Sequence, residues 1–411
     1  MTNTLDVKIE RLAYGGDALG RLPDGRVVFV PYAIPGELVR LMIVEDKPRH
    51  ANAALVEVLE PSPERVTPRC PHFSTCGGCH YQHLQYPAQV KAKADILREQ
   101  LERIGGLQGI PDIELHASPE PWYYRNTIQF HLTPEGKLGF QKARSNQPFA
   151  IRECHLPEEA INRIWPQIEV EPIPSLERVS LKVGMDQEMM LILESTDPQA
   201  MEFSIEDLAV SIVQIGGYGN IILAGSDYIV MEVLGRQFKV STDSFFQVNR
   251  TQAQAIVTHI IDHLPMTNEM TVVDAYSGVG LFGAFLAPKV KRLVGIEVSA
   301  SACEDFSTNL DEFENVELYE APVEDVLASI NFHADSIILD PPRVGLGAKT
   351  IEGILTQGAD RLVYVSCDPA TLARDGRQLE AGGYTLSSLA LFDMFPQTYH
   401  IESISLWDKN L

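Results

Sequence analysis

The chain has 411 residues, 45% of them hydrophobic and 22% charged, which fits several domains with sizeable cores. No apolar run is long enough for a membrane-spanning helix. Lys plus Arg number 33 against 56 Asp plus Glu, and the resulting net charge of −23 excludes a global basic field. The six cysteines do not make a secreted disulfide scaffold, and MTNTLDVKIERLAYGG has no apolar signal core. Thiols, metal ligands or nucleophiles in a reducing cytoplasm are the expectation.

Residues 1–61 are expected to form a small all-β domain. Short β-rich runs at Val27–Val30, Leu38–Val44 and Ala53–Leu59 are punctuated by Gly15, Gly16, Gly20, Gly25 and Pro35-Gly36. That spacing fits a five-stranded barrel of the oligonucleotide-binding kind. Pro61, Pro63 and Pro68 then break the chain.

Residues 62–235 read as a central α+β domain. It opens on Cys70-x5-Cys76-Gly77-Gly78-Cys79, where the glycines let a loop wrap a metal centre, and Cys154 is the natural fourth ligand. Four thiolates suit tetrahedral zinc or an iron–sulfur cluster, and the uneven spacing favours the cluster. Val90, Ala94, Leu97, Leu101 and Ile104 mark one amphipathic helix over 86–104, ended by Gly105-Gly106 and expected to pack on the C-terminal domain. Strands follow at Thr127–Leu132, Val179–Val183, Met189–Leu193, Ile221–Leu223 and Ile229–Leu234, with a helical stretch at about 200–214.

From 236 to 411 strands and helices alternate. A helix from about Asn249 to Leu264 precedes strands at Thr271–Asp274, Leu293–Glu297, Val316–Tyr319, Ser336–Leu339 and Leu362–Val365. This predicts a doubly wound parallel sheet with ligands at the carboxyl ends of its strands. The first strand runs into Asp274-Ala275-Tyr276-Ser277-Gly278-Val279-Gly280, a sharp turn that lets a ligand approach the backbone. Glu297, closing the second strand, suits ribose hydroxyls. Gly278, Gly280 and Gly283 fit the dinucleotide pattern, whereas an Asp before the turn fits S-adenosylmethionine. The first reading makes the chain an NAD-dependent oxidoreductase, which leaves the groups below without roles.

Asp340-Pro341-Pro342 places a carboxylate at the end of the fourth strand, in a loop stiffened by two prolines. Cys367 follows the fifth strand and precedes a helix, whose N-terminus is expected to favour the thiolate. Residues 400–407 alternate like a strand, which puts His400 and Glu402 on one face, with Glu402 a candidate base. Cys303 reads as core.

Together these motifs resemble the RNA uridine-5-methyltransferase family, in particular its bacterial 23S ribosomal-RNA branch, over essentially the whole chain. The resemblance implies a TRAM-type RNA-binding barrel at the N-terminus and a Rossmann-like class I methyltransferase domain at the C-terminus. It implies a [4Fe-4S] cluster on Cys70, Cys76, Cys79 and Cys154. Phe245-Phe246-Gln247-Val248-Asn249 matches the family's F-F-Q-x-N motif, Ser366-Cys367-Asp368-Pro369 its S-C-[DN]-P motif and His400-Ile401-Glu402 its H-x-E motif. By that match Gln247, Tyr276, Glu297 and Asp340 bind S-adenosylmethionine, Cys367 is the nucleophile and Glu402 the general base. Tyr276 stands where many members have Phe. The implied partner is RNA, 23S ribosomal RNA before transfer RNA, and the implied state a monomer. Arg125, Lys142, Arg144 and Arg343 are the candidate RNA contacts on an otherwise acidic chain. A nonenzymatic RNA-binding module is the alternative from another class.

Overall fold

The computed structural model describes residues 4–170, 175–197, 199–200, 210–217 and 219–410. Strands β1 (Thr4–Leu12), β2 (Ala18–Arg21), β3 (Val27–Val30), β4 (Leu38–Asp46) and β5 (His50–Glu60) close into a barrel in the order β1-β2-β3-β5-β4. Only β3 and β5 pair in parallel. Val7, Ile9, Val28, Val30, Val39 and Leu41 alternate inward and fill it.

Helix α1 (Tyr86–Gln100) continues into a π-type turn at Leu101–Gly105 and stops at Gly106, which takes the left-handed φ of +69°. The extra residue in that turn moves Ile104 off the apolar face, and its side chain is 45% exposed. The short strand β6 (Ile113–His116) follows.

The central sheet uses β7 (Thr127–Leu132), β8 (Leu138–Gln141), β9 (Pro148–Ala150), β10 (Leu176–Val183), β11 (Met189–Ser195), β12 (Val210–Gly216) and β13 (Gly219–Ala224), with helix α2 (Glu159–Ile164) between β9 and β10. Its order is β13-β12-β11-β10-β7-β8-β9. Residues 210–214 of the expected helical stretch are therefore strand, and 201–209 lie outside the described residues. Strand β12 carries three consecutive buried residues, Ile212, Val213 and Gln214, so the two-residue alternation that marks a strand is missing.

Hairpin β14 (Tyr228–Val233) and β15 (Arg236–Ser241) spans the division expected at 235/236, since its turn is Leu234-Gly235. Then come α3 (Arg250–His263), β16 (Thr271–Ala275), α4 (Gly283–Leu286), β17 (Arg292–Glu297), α5 (Ala300–Asn309), β18 (Val316–Glu320), α6 (Val323–Ser329), β19 (Ser336–Leu339), α7 (Ala348–Gln357), β20 (Arg361–Ser366), α8 (Pro369–Ala381), β21 (Tyr384–Phe392) and β22 (Glu402–Lys409). The sheet order is β18-β17-β16-β19-β20-β22-β21-β6. Strands β16 to β20 run parallel and β22 antiparallel to β20. The winding reverses between β16 and β19, the place where doubly wound sheets take their ligands, at the carboxyl ends of the strands. Strand β6 completes this sheet beside β21, and the fully buried Lys93 of α1 ion-pairs with Asp393 at 2.6 Å. Helix α1 thus packs on the C-terminal sheet. Among the described residues no helix is long and apolar enough to cross a membrane.

Candidate active site

The loop after β16 is built by backbone constraints. Gly278 and Gly280 have φ of +53° and +86°, and Tyr276, with a Cβ, holds φ of +62° between them and the strand. Left-handed backbone on a bulky residue is costly and concentrates at functional sites. A Cβ at Gly278 would meet nothing within 4 Å, so the backbone there faces open space. A Cβ at Gly280 would collide with Leu310 and Phe306, so that glycine serves packing. Asp274 is fully buried and its Oδ2 accepts from the Gly283 amide at 3.0 Å. Burial pushes its carboxyl up to about 7. It braces the loop from beneath.

Glu297 ends β17 and faces the same loop. Its Oε2 accepts from the Gly278 amide at 2.9 Å, and its Oε1 from the Val298 and Ser299 amides at 2.8 and 2.9 Å. Three backbone donors hold the carboxylate still. Cys303 is buried, its Sγ 3.6 Å from the Glu297 carbonyl, as expected of core.

Across the winding reversal, β19 delivers Asp340, whose amide reaches the Ala275 carbonyl at 3.4 Å. Burial pushes its carboxyl up to about 7. Next to it, β20 delivers Cys367. Antiparallel β22 begins at the same edge, because Ser366 pairs with Ser403, and this brings Glu402 in beside the thiol. Glu402 is 4% exposed. Burial, and then the Asp340 charge, raise its carboxyl well above the usual range, while Arg343 pulls it down. The three groups feel one another, so Asp340, Cys367 and Glu402 form one cluster at the sheet's carboxyl edge.

The thiol departs from expectation. Burial pushes Cys367 up to about 12, and Glu402, Asp340 and Asp368 reinforce the rise against Arg343. The start of α8 does not compensate, because Asp368 Oδ1 accepts from the Ala370 and Thr371 amides at 2.9 Å. The N-cap consumes the donors that would otherwise favour a thiolate.

His400 does not lie on the strand, which starts at Glu402. It sits among Tyr399 and Phe395, with Arg343 Nη2 3.5 Å from its Nδ1. Burial and then Arg343 lower the imidazole to about 3 and keep it neutral.

The F-F-Q-V-N segment leads into α3. Phe246 packs on Phe238 at 6.0 Å between centroids, whereas Phe245 is 70% exposed. Gln247 is buried, and its carbonyl accepts from Asn126 Nδ2 at 2.9 Å. Asn249 caps α3 by accepting the Gln252 amide at 3.2 Å.

Two contributors escape the sequence. Tyr14, in the first turn of the barrel, donates from its hydroxyl to Asp368 Oδ2 at 2.7 Å and packs edge-on against Tyr399 at 6.0 Å. The barrel therefore touches the residue beside Cys367. Gln397, at φ of +69°, is clamped: its carbonyl accepts the His80 and Tyr81 amides at 2.9 and 3.0 Å, and its amide donates to Gln89 Oε1 at 3.0 Å. The cysteine loop thereby anchors the strap leading to Glu402. Tyr14-Gly15-Gly16 was readable as a turn, but nothing in sequence links positions 14 and 368.

Cys70, Cys76, Cys79 and Cys154 all line one cavity of about 210 Å³, and none is in a disulfide. Burial raises all four thiols, Cys154 to about 12. The Gly78 amide donates to Cys76 Sγ at 3.4 Å. Among the candidate RNA contacts, Arg144 is ion-paired with Asp17, Arg125 Nε is buried and lines the cysteine cavity's wall, Lys142 is exposed, and Arg343 belongs to the catalytic edge.

Comparison with known proteins fits this arrangement. The model of the tRNA (Uracil-5-)-methyltransferase family matches residues 194–410, and that of the TRAM domain residues 3–56. An uncharacterized RNA methyltransferase of Aquifex aeolicus is 34% identical, with 98% of each chain covered. One of Halalkalibacterium halodurans is 33% identical over 98% of this chain and 96% of its own. The crystal structure of Pyrococcus abyssi tRNA (uracil-54, C5)-methyltransferase in complex with S-adenosyl-L-homocysteine superposes with a TM-score of 0.74 at 24% identity, covering 98% of this chain and all of that one, and so shares the fold. The chain belongs to the tRNA (uracil-5-)-methyltransferase family and is an S-adenosylmethionine-dependent RNA methyltransferase with an N-terminal TRAM barrel.

Proposed function

We propose that the protein methylates carbon 5 of a uridine in 23S ribosomal RNA, with Cys367 as nucleophile and Glu402 as general base. The observation that carries the chemistry is the meeting of one thiol and two elevated carboxyls at the edge that also bears the glycine loop. Gln247, Tyr276, Glu297 and Asp340 are assigned to the methyl donor. The open space at Gly278 and the fixed Glu297 carboxylate suit an adenosyl group without phosphate.

S-adenosylmethionine supplies an electrophilic methyl on a sulfonium. Carbon 5 of uracil is too poor a nucleophile to take it unaided. Cys367, losing its proton to solvent, adds to carbon 6 and forms a C–S bond, which moves the electron pair of the 5,6 double bond onto carbon 5. That carbon takes the methyl. Glu402 then removes the carbon 5 proton, the double bond returns, and the C–S bond breaks to release the thiolate. Glu402 returns its proton to Cys367, so one proton is released per turnover. An elevated carboxyl is matched to this task near neutral pH. The target base must leave its stack to reach Cys367, and exposed Phe245 offers a face for it.

The four cysteines are assigned to a [4Fe-4S] cluster. Their cavity has room for several water-sized bodies, more than a lone ion fills. The reaction is redox-neutral, and a cluster there would fix the loop that clamps Gln397. The preference for ribosomal over transfer RNA rests on this centre, through the family resemblance.

RNA carrying 5-fluorouridine tests the reading, because fluorine does not leave as a proton does. Protein, S-adenosylmethionine and fluorinated total RNA should give a covalent adduct on a denaturing gel, absent in Cys367→Ala. Sequencing the trapped RNA identifies the target. No adduct from protein that binds the methyl donor would favour the RNA-binding-module reading, and a trapped transfer RNA would overturn the ribosomal assignment.

A further inference from the structure

At the outer end of the same sheet edge, with Phe392 between His116 and Glu402, β6 and α3 bring together side chains that the proposed reaction does not use. Glu114 and His116 are two residues apart on β6 and share a face. His259 lies on α3 with its side chain 2% exposed. One ligand atom from each of the three lies within 4.8 Å of the others. Glu114 Oε1 is 3.0 Å from His116 Nε2, and Oε2 is 3.9 Å from His259 Nδ1.

The short contact is not a hydrogen bond: His116 Nε2 is buried and without a hydrogen-bond partner, as is His259 Nε2. Buried imidazole nitrogens are normally satisfied, so the orphaned His116 Nε2 facing Glu114 calls for an explanation. Both rings are held rigidly. His116 stacks on Phe392 at 4.2 Å, and His259 meets the same ring edge-on at 5.3 Å. His263, one helical turn on, stacks on His259 at 4.0 Å.

We propose that Glu114, His116 and His259 bind a divalent transition-metal ion of the zinc class, separate from the four-cysteine loop. Two imidazoles and one carboxylate are a borderline-soft donor set, suited to zinc rather than to calcium or magnesium. Bonds of about 2.0–2.2 Å place tetrahedral ligand atoms about 3.3 Å apart; here one ligand atom from each residue lies within 4.8 Å of the others, with one Glu114 oxygen toward each imidazole, so the set closes on an ion by side-chain adjustment. Glu114 is half exposed, so the fourth position opens to water. The ion would tie the outermost strand of the eight-stranded sheet to α3, the helix that begins at Asn249.

The test is calorimetric titration of zinc alone into the full chain with its cysteine centre already filled. One site per chain is expected. Its affinity should fall more than about a hundredfold in Glu114→Gln/His116→Asn, beyond the loss typical of outer-sphere changes. Both side chains are partly exposed, so the metal-free variant should melt with the wild type. Equal zinc binding by wild type and variant, or no zinc beyond the cysteine centre, overturns the proposal. Cobalt gives a second readout. A visible spectrum without sulfur charge transfer, lost in His259→Gln, supports the assignment, whereas a thiolate band places the metal on cysteine and refutes it.

Discussion

The catalytic edge and the cysteine cavity apply the same physics to opposite ends. Each buries thiols until they are held protonated. At the catalytic edge the thiol is surrounded by Glu402, Asp340 and Asp368, with Arg343 as the opposing charge. A thiol and two carboxyls there are all pushed toward the protonated form, and a cationic cosubstrate would favour their charged forms. In the cysteine cavity the apolar walls of Phe73, Ile128, Phe140, Ile151 and Leu156 are joined by Arg125 and Glu153, and four thiols converge there. Binding a metal there would require those protons to leave. The two regions thus raise their thiols alike and differ in what stands beside them: two elevated carboxyls next to a single thiol at the catalytic edge, three further thiols in the cavity.

The largest test of that contrast is Glu402→Gln. Without the base, methyl transfer should proceed once and the proton on carbon 5 should stay. Turnover is expected to fall by about 10²–10⁴, with a methylated covalent adduct accumulating even on unfluorinated RNA. Quantitative gel shift after denaturation checks it; free turnover without adduct would remove Glu402 from the proton path.

Cys154→Ser addresses the other region. Iron content should drop sharply and Tm should fall by more than about 5 °C, as measured by metal analysis and calorimetry. Unchanged iron would exclude Cys154 as a ligand. Because the loop clamps Gln397, the adduct yield should fall as well, which is the point at which the two regions meet.

Tyr14→Phe is the mildest change. It removes a hydrogen bond to a carboxylate, worth about 1.5–3 kcal/mol, and leaves Asp368 more negative beside Cys367. The thiol should then titrate at higher pH. Alkylation of Cys367 by iodoacetamide should shift its pH profile upward, with S-adenosylmethionine affinity unchanged. An identical profile would mean the barrel holds the loop without tuning it.

Much of this was legible beforehand because local chemistry decides it. Gly-Pro punctuation marked the barrel, and apolar runs ending in Asp274, Glu297, Asp340 and Cys367 marked the parallel sheet and its ligand edge. The helical reading failed at 210–214, where burial on both faces of β12 erased its alternation. The thiolate expectation at Cys367 failed because burial raises the thiol and the adjacent Asp368, itself the cap, takes the helix donors. Tyr14 and the Glu114–His116–His259 cluster were invisible for another reason: both arise only when distant elements dock.

The buried Lys93–Asp393 pair and the seating of β6 on β21 also bear on how the chain can be divided. A fragment beginning at residue 236 would keep every motif of the methyltransferase sheet. It would leave Asp393 without its cation and β21 with a bare hydrogen-bonding edge. Removing one partner of a fully buried ion pair is strongly destabilising, and an uncovered edge strand recruits other chains. The catalytic sheet is complete in sequence at 236–411 but complete in space only with residues 86–116, so expression of the isolated segment should yield aggregates rather than a minimal enzyme.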